Sequence, residues 1–189
     1  VETTVICLDN PKSKWLSNKP FKVIPLGKGF LNYGFQFGLV SKLANIASNY
    51  DLVIIHGLWQ YHSLSTFLAL RKLNRKYFVF THGMLDPWFK TTFPLKHFKK
   101  QLYWWWRQGR ILSNAHAVCF TTEDERQLAQ NTFWPYKCRE IVTGLGVCDP
   151  PKNEEHQKSV FVEKFPIIFD KKVLLYMGRL HPKKGLDLL

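Results

Sequence analysis

Apolar and polar positions along the chain alternate between two periods. Short β-branched or aromatic runs at residues 5–8, 51–55, 77–81, 117–121 and 140–143 predict strands, and residues 21–26 predict an edge strand. Longer stretches at 35–47, 64–73, 95–112 and 123–130 carry helical spacing. Thr122, with Glu125 three residues on, opens the last of these as a capping box. Strands alternating with helices predict an α/β fold, a doubly wound parallel sheet covered on both faces. No repeat or low-complexity tract interrupts it. After Asp149 a polar stretch, PPKNEEHQKS, leads to a fresh apolar run at 173–177 and then to Gly178 and a basic turn. This predicts a first domain over 1–149, a linker over 150–172 and the first strand of a second domain over 173–189. The chain opens at Val1 in strand-like sequence without a methionine and stops as a helix begins, which reads as a piece of a longer protein.

Composition narrows the classes. Hydrophobic residues make up 46% and charged residues 22% of 189 residues, near globular averages, so intrinsic disorder is excluded. No apolar run reaches the length of a membrane span. The cysteines, Cys7, Cys119, Cys138 and Cys148, form no CxxC pair, which argues against a zinc knuckle or disulfide scaffold and for a reducing cytoplasm. Lys and Arg number 27 against 14 acids, and the excess is concentrated. Residues 71–113 hold ten bases and a single acid, Asp86, a net +9. Such a field points to an anionic partner: membrane surface, nucleic acid or a phosphate-bearing substrate.

The residues with chemistry to offer lie where the predicted strands end: His56-Gly57, Thr81-His82-Gly83, Thr121-Thr122, Gly144 with Gly146, and Gly178-Arg179. In open α/β sheets ligands bind beyond the carboxyl ends of the strands. The stretch KVLLYMGRLHPKKGLDL runs a strand into glycine, Arg179, Lys183, Lys184 and Gly185 at the mouth of a helix, a layout suited to a diphosphate.

On a helical wheel, 95–112 separates into two arcs. Leu95, Phe98, Leu102, Trp105, Trp106, Gly109 and Leu112 share one of about 120°, expected to pack on the sheet. Lys96, Lys99, Lys100, Tyr103, Arg107 and Arg110 share another of about 100°, with Trp104 on its flank, expected to face anionic lipid headgroups.

The stretch GRLHPKKGLDLL resembles the opening of the second domain of the retaining family-four glycosyltransferases of the GT-B fold, which build bacterial polysaccharides. HGLWQY at 56–61, THGMLDPW at 81–88, KKQLYWWW at 99–106 and FTTEDE at 120–125 are similar to the first domain of that family, in its order. The resemblance implies a Rossmann-like first domain of a GT-B fold, truncated at both ends. The family's glycine-rich loop would lie upstream of Val1 and its acidic pair beyond Leu189. A nucleotide-sugar donor would bind the second domain, a lipid-linked or polysaccharide acceptor the first, and the sugar would pass with retention, without metal or other cofactor. Arg179 and Lys184 match the pair gripping the donor diphosphate, and His82 matches the histidine that reaches the transferred sugar. His56, Trp59, Gln60 and Asp86 are candidate substrate contacts. Gly144 and Gly146 supply the compact hinge turn, although Leu145-Gly146-Val147 replaces the usual Asn-Gly-Val. The resemblance places the protein in the cytoplasm, peripheral at the inner face of the plasma membrane. Two other classes remain open. A nucleic-acid-binding module is disfavoured because no RNA- or DNA-binding motif accompanies the basic segment. A sugar-nucleotide epimerase would share the architecture.

Overall fold

Every strand ladder in the computed structural model of the protein, which describes residues 1–150 and 152–188, is parallel. Pro151 and Leu189, the latter the end of the expected second domain, lie outside the described residues. Two units divide the chain, Val1–Leu145 and Gly146–Leu189.

In the first unit β1 (Thr4–Cys7) pairs with β2 (Lys22–Pro25). A four-stranded sheet then runs in chain order through β3 (Val53–His56), β4 (Tyr77–Phe80), β5 (Ala117–Phe120) and β6 (Glu140–Val142). The crossovers carry α2 (Tyr61–Lys72), then α3 (Trp88–Thr92), α4 (Pro94–Tyr103) and α5 (Gly109–Ser113), then α6 (Glu123–Ala129). Helix α1 (Leu39–Ala47) precedes β3 and packs on α2. The result is a doubly wound parallel α/β domain, and each expected strand of this unit lies within two residues of its observed position. All four residues of β5 are buried, as a strand flanked by two neighbours and covered on both faces requires.

The main core joins Ile55, Leu70, Val79, Trp104, Ile111, Leu112, Val118 and Phe120. A second cluster, Leu39, Leu43 and Ala69, is backed by Ile6, Leu8 and Leu26 from the β1–β2 side.

Several expectations change in the structure. The helix expected over 35–47 begins only at Leu39, because Phe35 pairs antiparallel with Phe30 and Gly38 takes a left-handed φ of 71° at the cap. The stretch expected as one helix over 95–112 is interrupted by a π-turn at Trp104–Gln108. Gly109 donates its N–H to the Trp104 carbonyl across the wide turn, and a Cβ there would sit 3.0 Å from that oxygen.

Most of the arc expected to pack is turned outward, although Leu112 is buried as expected and Lys96, Lys99 and Arg110 stay exposed. Trp104 and Gln108 are buried with Ile111 and Leu112, whereas Leu95, Phe98, Leu102, Trp105 and Trp106 are exposed. The wheel weighed hydrophobicity alone. The structure instead turns inward Trp104, whose indole N–H donates to the Pro135 carbonyl at 2.9 Å, and Gln108, whose Oε1 accepts from the Trp59 amide at 3.1 Å while its buried Nε2 has no hydrogen-bond partner.

In the second unit α7 (Glu154–Lys164) occupies part of the expected linker. Residues 173–177 form no strand: Leu174, Leu175 and Met177 are exposed, and no ladder partner exists among the described residues of this unit. An unpaired run has no acceptor for its backbone groups, so it stays irregular. Short 3₁₀ turns at Pro182–Lys184 and Leu186–Leu188 stand where a helix was expected.

Candidate active site

Parallel pairing sets His56, the last residue of β3, opposite Phe80, the last of β4. Two residues beyond Phe80 the backbone turns sharply, with His82 at φ 49° and Gly83 at φ 70°. A non-glycine residue in the left-handed region is uncommon, and its position must be held by its surroundings. The turn folds His82 back over the sheet edge. The imidazoles of His56 and His82 lie 5.1 Å apart and nearly parallel, with Phe80 stacked on His56 at 5.3 Å.

His56 Nδ1 and His82 Nε2 share a hydrogen bond of 2.9 Å. One proton at most occupies that contact, so the two rings cannot both be fully protonated while it persists. Burial depresses the His56 pKa, and repulsion from His82 and His62 lowers it further. A neutral His56 that donates through Nδ1 leaves His82 Nδ1 carrying its own proton, available to donate to a ligand. His62 Nε2 donates to the His56 carbonyl at 3.0 Å, which fixes its tautomer. Among the described residues no group of three His, Cys, Asp or Glu is placed to hold a metal ion.

Glu125 holds the turn from below. Its Oε1 accepts from Thr81 Oγ1 at 2.7 Å and from the Gly83 amide at 2.6 Å. Its Oε2 accepts from the Thr121 amide and hydroxyl, both at 2.8 Å. Burial raises the Glu125 pKa, but these four bonds outweigh it and hold the carboxyl below the usual range. The expected capping box is thus half formed: Thr122 Oγ1 accepts from the Glu125 amide at 3.1 Å, while the Glu125 carboxylate serves the β4 and β5 ends instead. In the sequence Glu125 shows only the spacing of a cap residue. Its spacing from Thr122 was visible, but its reach to Thr81, 44 residues away, depends on β4 and β5 being neighbours.

The remaining candidates fall into other groups. Trp59 tilts against Phe133 at 5.0 Å, under the Lys100 ammonium 4.7 Å from its ring, so packing occupies its faces. Gln60 Nε2 donates to the Asn32 carbonyl at 3.3 Å. Asp86 Oδ1 accepts from the Trp88 amide at 2.8 Å at the start of α3. Asp86, Lys96 and Lys100 line one small cavity of about 210 Å³ floored by Phe89, Phe93 and Phe133. A larger recess of about 870 Å³, around Phe133 to Cys138, is lined by none of the expected site residues, and neither recess includes His56 or His82.

Of the expected membrane face, Lys96, Lys99 and Arg110 are exposed. Lys100 is half-buried over Trp59, and burial lowers its pKa. Tyr103 shares a 2.8 Å hydrogen bond with Tyr33, Arg107 Nε is buried and Trp104 is in the core. Lys100, Tyr103 and Trp104 are therefore withdrawn from that surface, while the half-buried Arg107 keeps its guanidinium 4.1 Å over the exposed Trp106 ring. Gly144 adopts φ 67°, in the left-handed region that favours glycine, and a Cβ there would meet nothing within 4 Å.

Gly146, Arg179 and Lys184 belong to the second unit. Arg179 and Lys184 are exposed there, and the Arg179 carbonyl accepts from the Tyr176 hydroxyl at 2.8 Å. The Lys183 side chain lies outside the described ones.

A doubly wound parallel domain with polar side chains converging past the carboxyl ends of adjacent strands is laid out as a ligand-binding α/β domain. Its residues 1–142 match the family model of the glycosyl transferase 4-like domain, and the chain belongs to that family. Comparisons with curated proteins and with solved structures give no match.

Proposed function

We propose that this domain is the acceptor side of a retaining glycosyltransferase that moves a sugar from a nucleotide-sugar donor to a lipid-linked or polysaccharide acceptor, at the cytoplasmic face of the plasma membrane, in envelope or exopolysaccharide synthesis. The observation that carries the reading is the His56–His82 pair beyond β3 and β4, held by Glu125, in a domain of a glycosyltransferase family. In this role His82 donates to a hydroxyl of the donor sugar, a contact that tightens and holds the ring as its bond to the diphosphate breaks, and the departing diphosphate takes the acceptor's proton. Arg179 and Lys184 neutralise the diphosphate.

The test is steady-state kinetics of the full-length protein across a panel of nucleotide sugars. His82→Ala should lower kcat by about 10²–10³-fold with donor KM nearly unchanged, the loss typical of one hydrogen bond that tightens in the transition state. Arg179→Ala and Lys184→Ala should instead raise donor KM, because phosphate contacts exist before the transition state too. An effect of His82→Ala on KM alone would overturn its assigned role. Nucleotide release without a glycosylated product would favour an epimerase.

A further inference from the structure

Helix α4 and the π-turn after it present an unusual surface. Leu95, Phe98, Leu102, Trp105 and Trp106 recur at helical spacing and are 81, 59, 47, 51 and 64% exposed. Trp134, 73% exposed, extends this stripe from a second element. Its carbonyl accepts from the Trp105 indole and from Gln101 Nε2, both at 2.6 Å, so the loop and the helix present one rigid face. Six large side chains at this exposure leave on the order of 500 Å² of contiguous apolar area, at the upper end for a monomer surface.

The charges beside the stripe are of one sign. Lys96, Lys99 and Arg110 are exposed along one flank, the Arg107 guanidinium lies 4.1 Å over the Trp106 ring, and residues 94–113 contain no acid. A second copy of the chain docking here would bring basic flank against basic flank across a two-fold axis with no carboxylate on the helix to pair them. An anionic lipid surface satisfies both halves of the pattern: the apolar arc enters the acyl boundary, the cations meet phosphates, and the tryptophans sit at headgroup depth. None of the helices among the described residues is long and apolar enough to cross a membrane, so the helix would lie in the interface plane.

We propose that α4, with Trp105, Trp106 and Trp134, is a membrane-docking face that inserts its apolar stripe into anionic bilayers. The basic residues act as its flank and not as its contact face, the reverse of the arrangement the helical wheel gives. The inference stands apart from the transferase chemistry: a protein that docks on lipid but transfers no sugar leaves it intact.

The test is vesicle flotation of the full chain with phosphatidylglycerol in phosphatidylcholine, against phosphatidylcholine alone. The parent should float with the anionic vesicles and retain part of its binding in high salt, because the apolar contribution is not screened. Lipids brominated on the acyl chains should quench its tryptophan fluorescence. Phe98→Ser/Leu102→Ser/Trp106→Ser should bind at least about tenfold more weakly with an unchanged circular dichroism spectrum, since these side chains are already exposed. Lys96→Ser/Lys99→Ser/Arg110→Ser should lose about fivefold per cation on anionic vesicles only. Three results would each overturn the proposal: failure of the parent to float, no acyl-chain quenching, or equal binding by the apolar triple variant. A concentration-dependent dimer that the apolar variant dissolves, in a parent that ignores vesicles, would assign the face to self-association instead.

Discussion

Replacing Glu125 with Gln tests whether one carboxylate holds the His82 turn. Each carboxylate oxygen accepts one backbone N–H and one hydroxyl: Gly83 and Thr81 at Oε1, Thr121 twice at Oε2. A carboxamide keeps one oxygen and turns an NH₂ toward the other pair. The hydroxyl of that pair can rotate to accept, but the backbone N–H cannot. Whichever way the amide is turned, either Gly83 or Thr121 is left with a donor facing a donor, at about 1–3 kcal/mol. The two surviving bonds also lose charge assistance, roughly 0.5–1 kcal/mol each. Glu125 is only partly buried, so water recovers some of this, and about 2 kcal/mol is the net expectation. For a chain of this size that lowers Tm by about 4–8 °C. The dependence on pH has a definite sign. Because the folded-state carboxyl titrates below its unfolded value, the folded form binds fewer protons across that window. The advantage of Glu over Gln is therefore complete above the unfolded value of about 4.3 and fades as pH falls through the folded one. Urea denaturation at pH 7 and at acid pH measures the difference, and hydrogen exchange at the Gly83 and Thr121 amides localises it. Equal urea midpoints at pH 7, with unchanged exchange at both amides, would refute the claim that this carboxylate holds the turn.

The two faces of the α4 region can be separated by neighbouring tryptophans. Trp104→Ala should cost about 3–5 kcal/mol in urea, since the ring is buried, stacks on Phe133 at 5.0 Å and donates to Pro135, whereas Trp106→Ala should change stability by no more than about 0.5 kcal/mol. Similar losses at both positions would show that the helix faces are misassigned. The histidine pair gives a titration: followed by NMR, His56 should protonate below its ordinary value of about 6.5, and His82→Ala should raise it by removing one source of repulsion. As its folded value is the lower one, the stability His56 contributes is full above about pH 6.5 and declines as the solution is acidified through the folded value. A His56 titrating above that ordinary value would contradict the buried, mutually repelling arrangement.

Local chemistry was enough for the scaffold. β-branched and aromatic runs gave the strands of the first unit to within two residues, because the apolar runs and the turn residues that bound them are both written in neighbouring positions. Thr122 as the cap of α6 is equally local, and the strand-end placement of His56 and His82 follows once the strands are in place. Three features were not local. Glu125 bonds Thr81 and Gly83 only because β4 and β5 pair, so three-residue spacing showed a cap and hid the strut. The inward face of α4 and of the π-turn after it was decided by partners distant in sequence, Pro135 for Trp104, Tyr33 for Tyr103 and Trp59 for Lys100 and Gln108. A wheel that sorts residues by hydrophobicity cannot see that a tryptophan or glutamine has somewhere inside to hydrogen-bond. The apolar run at 173–177 shows the converse, since strand-like sequence becomes a strand only where another strand accepts its backbone hydrogen bonds, and none among the described residues of its unit does.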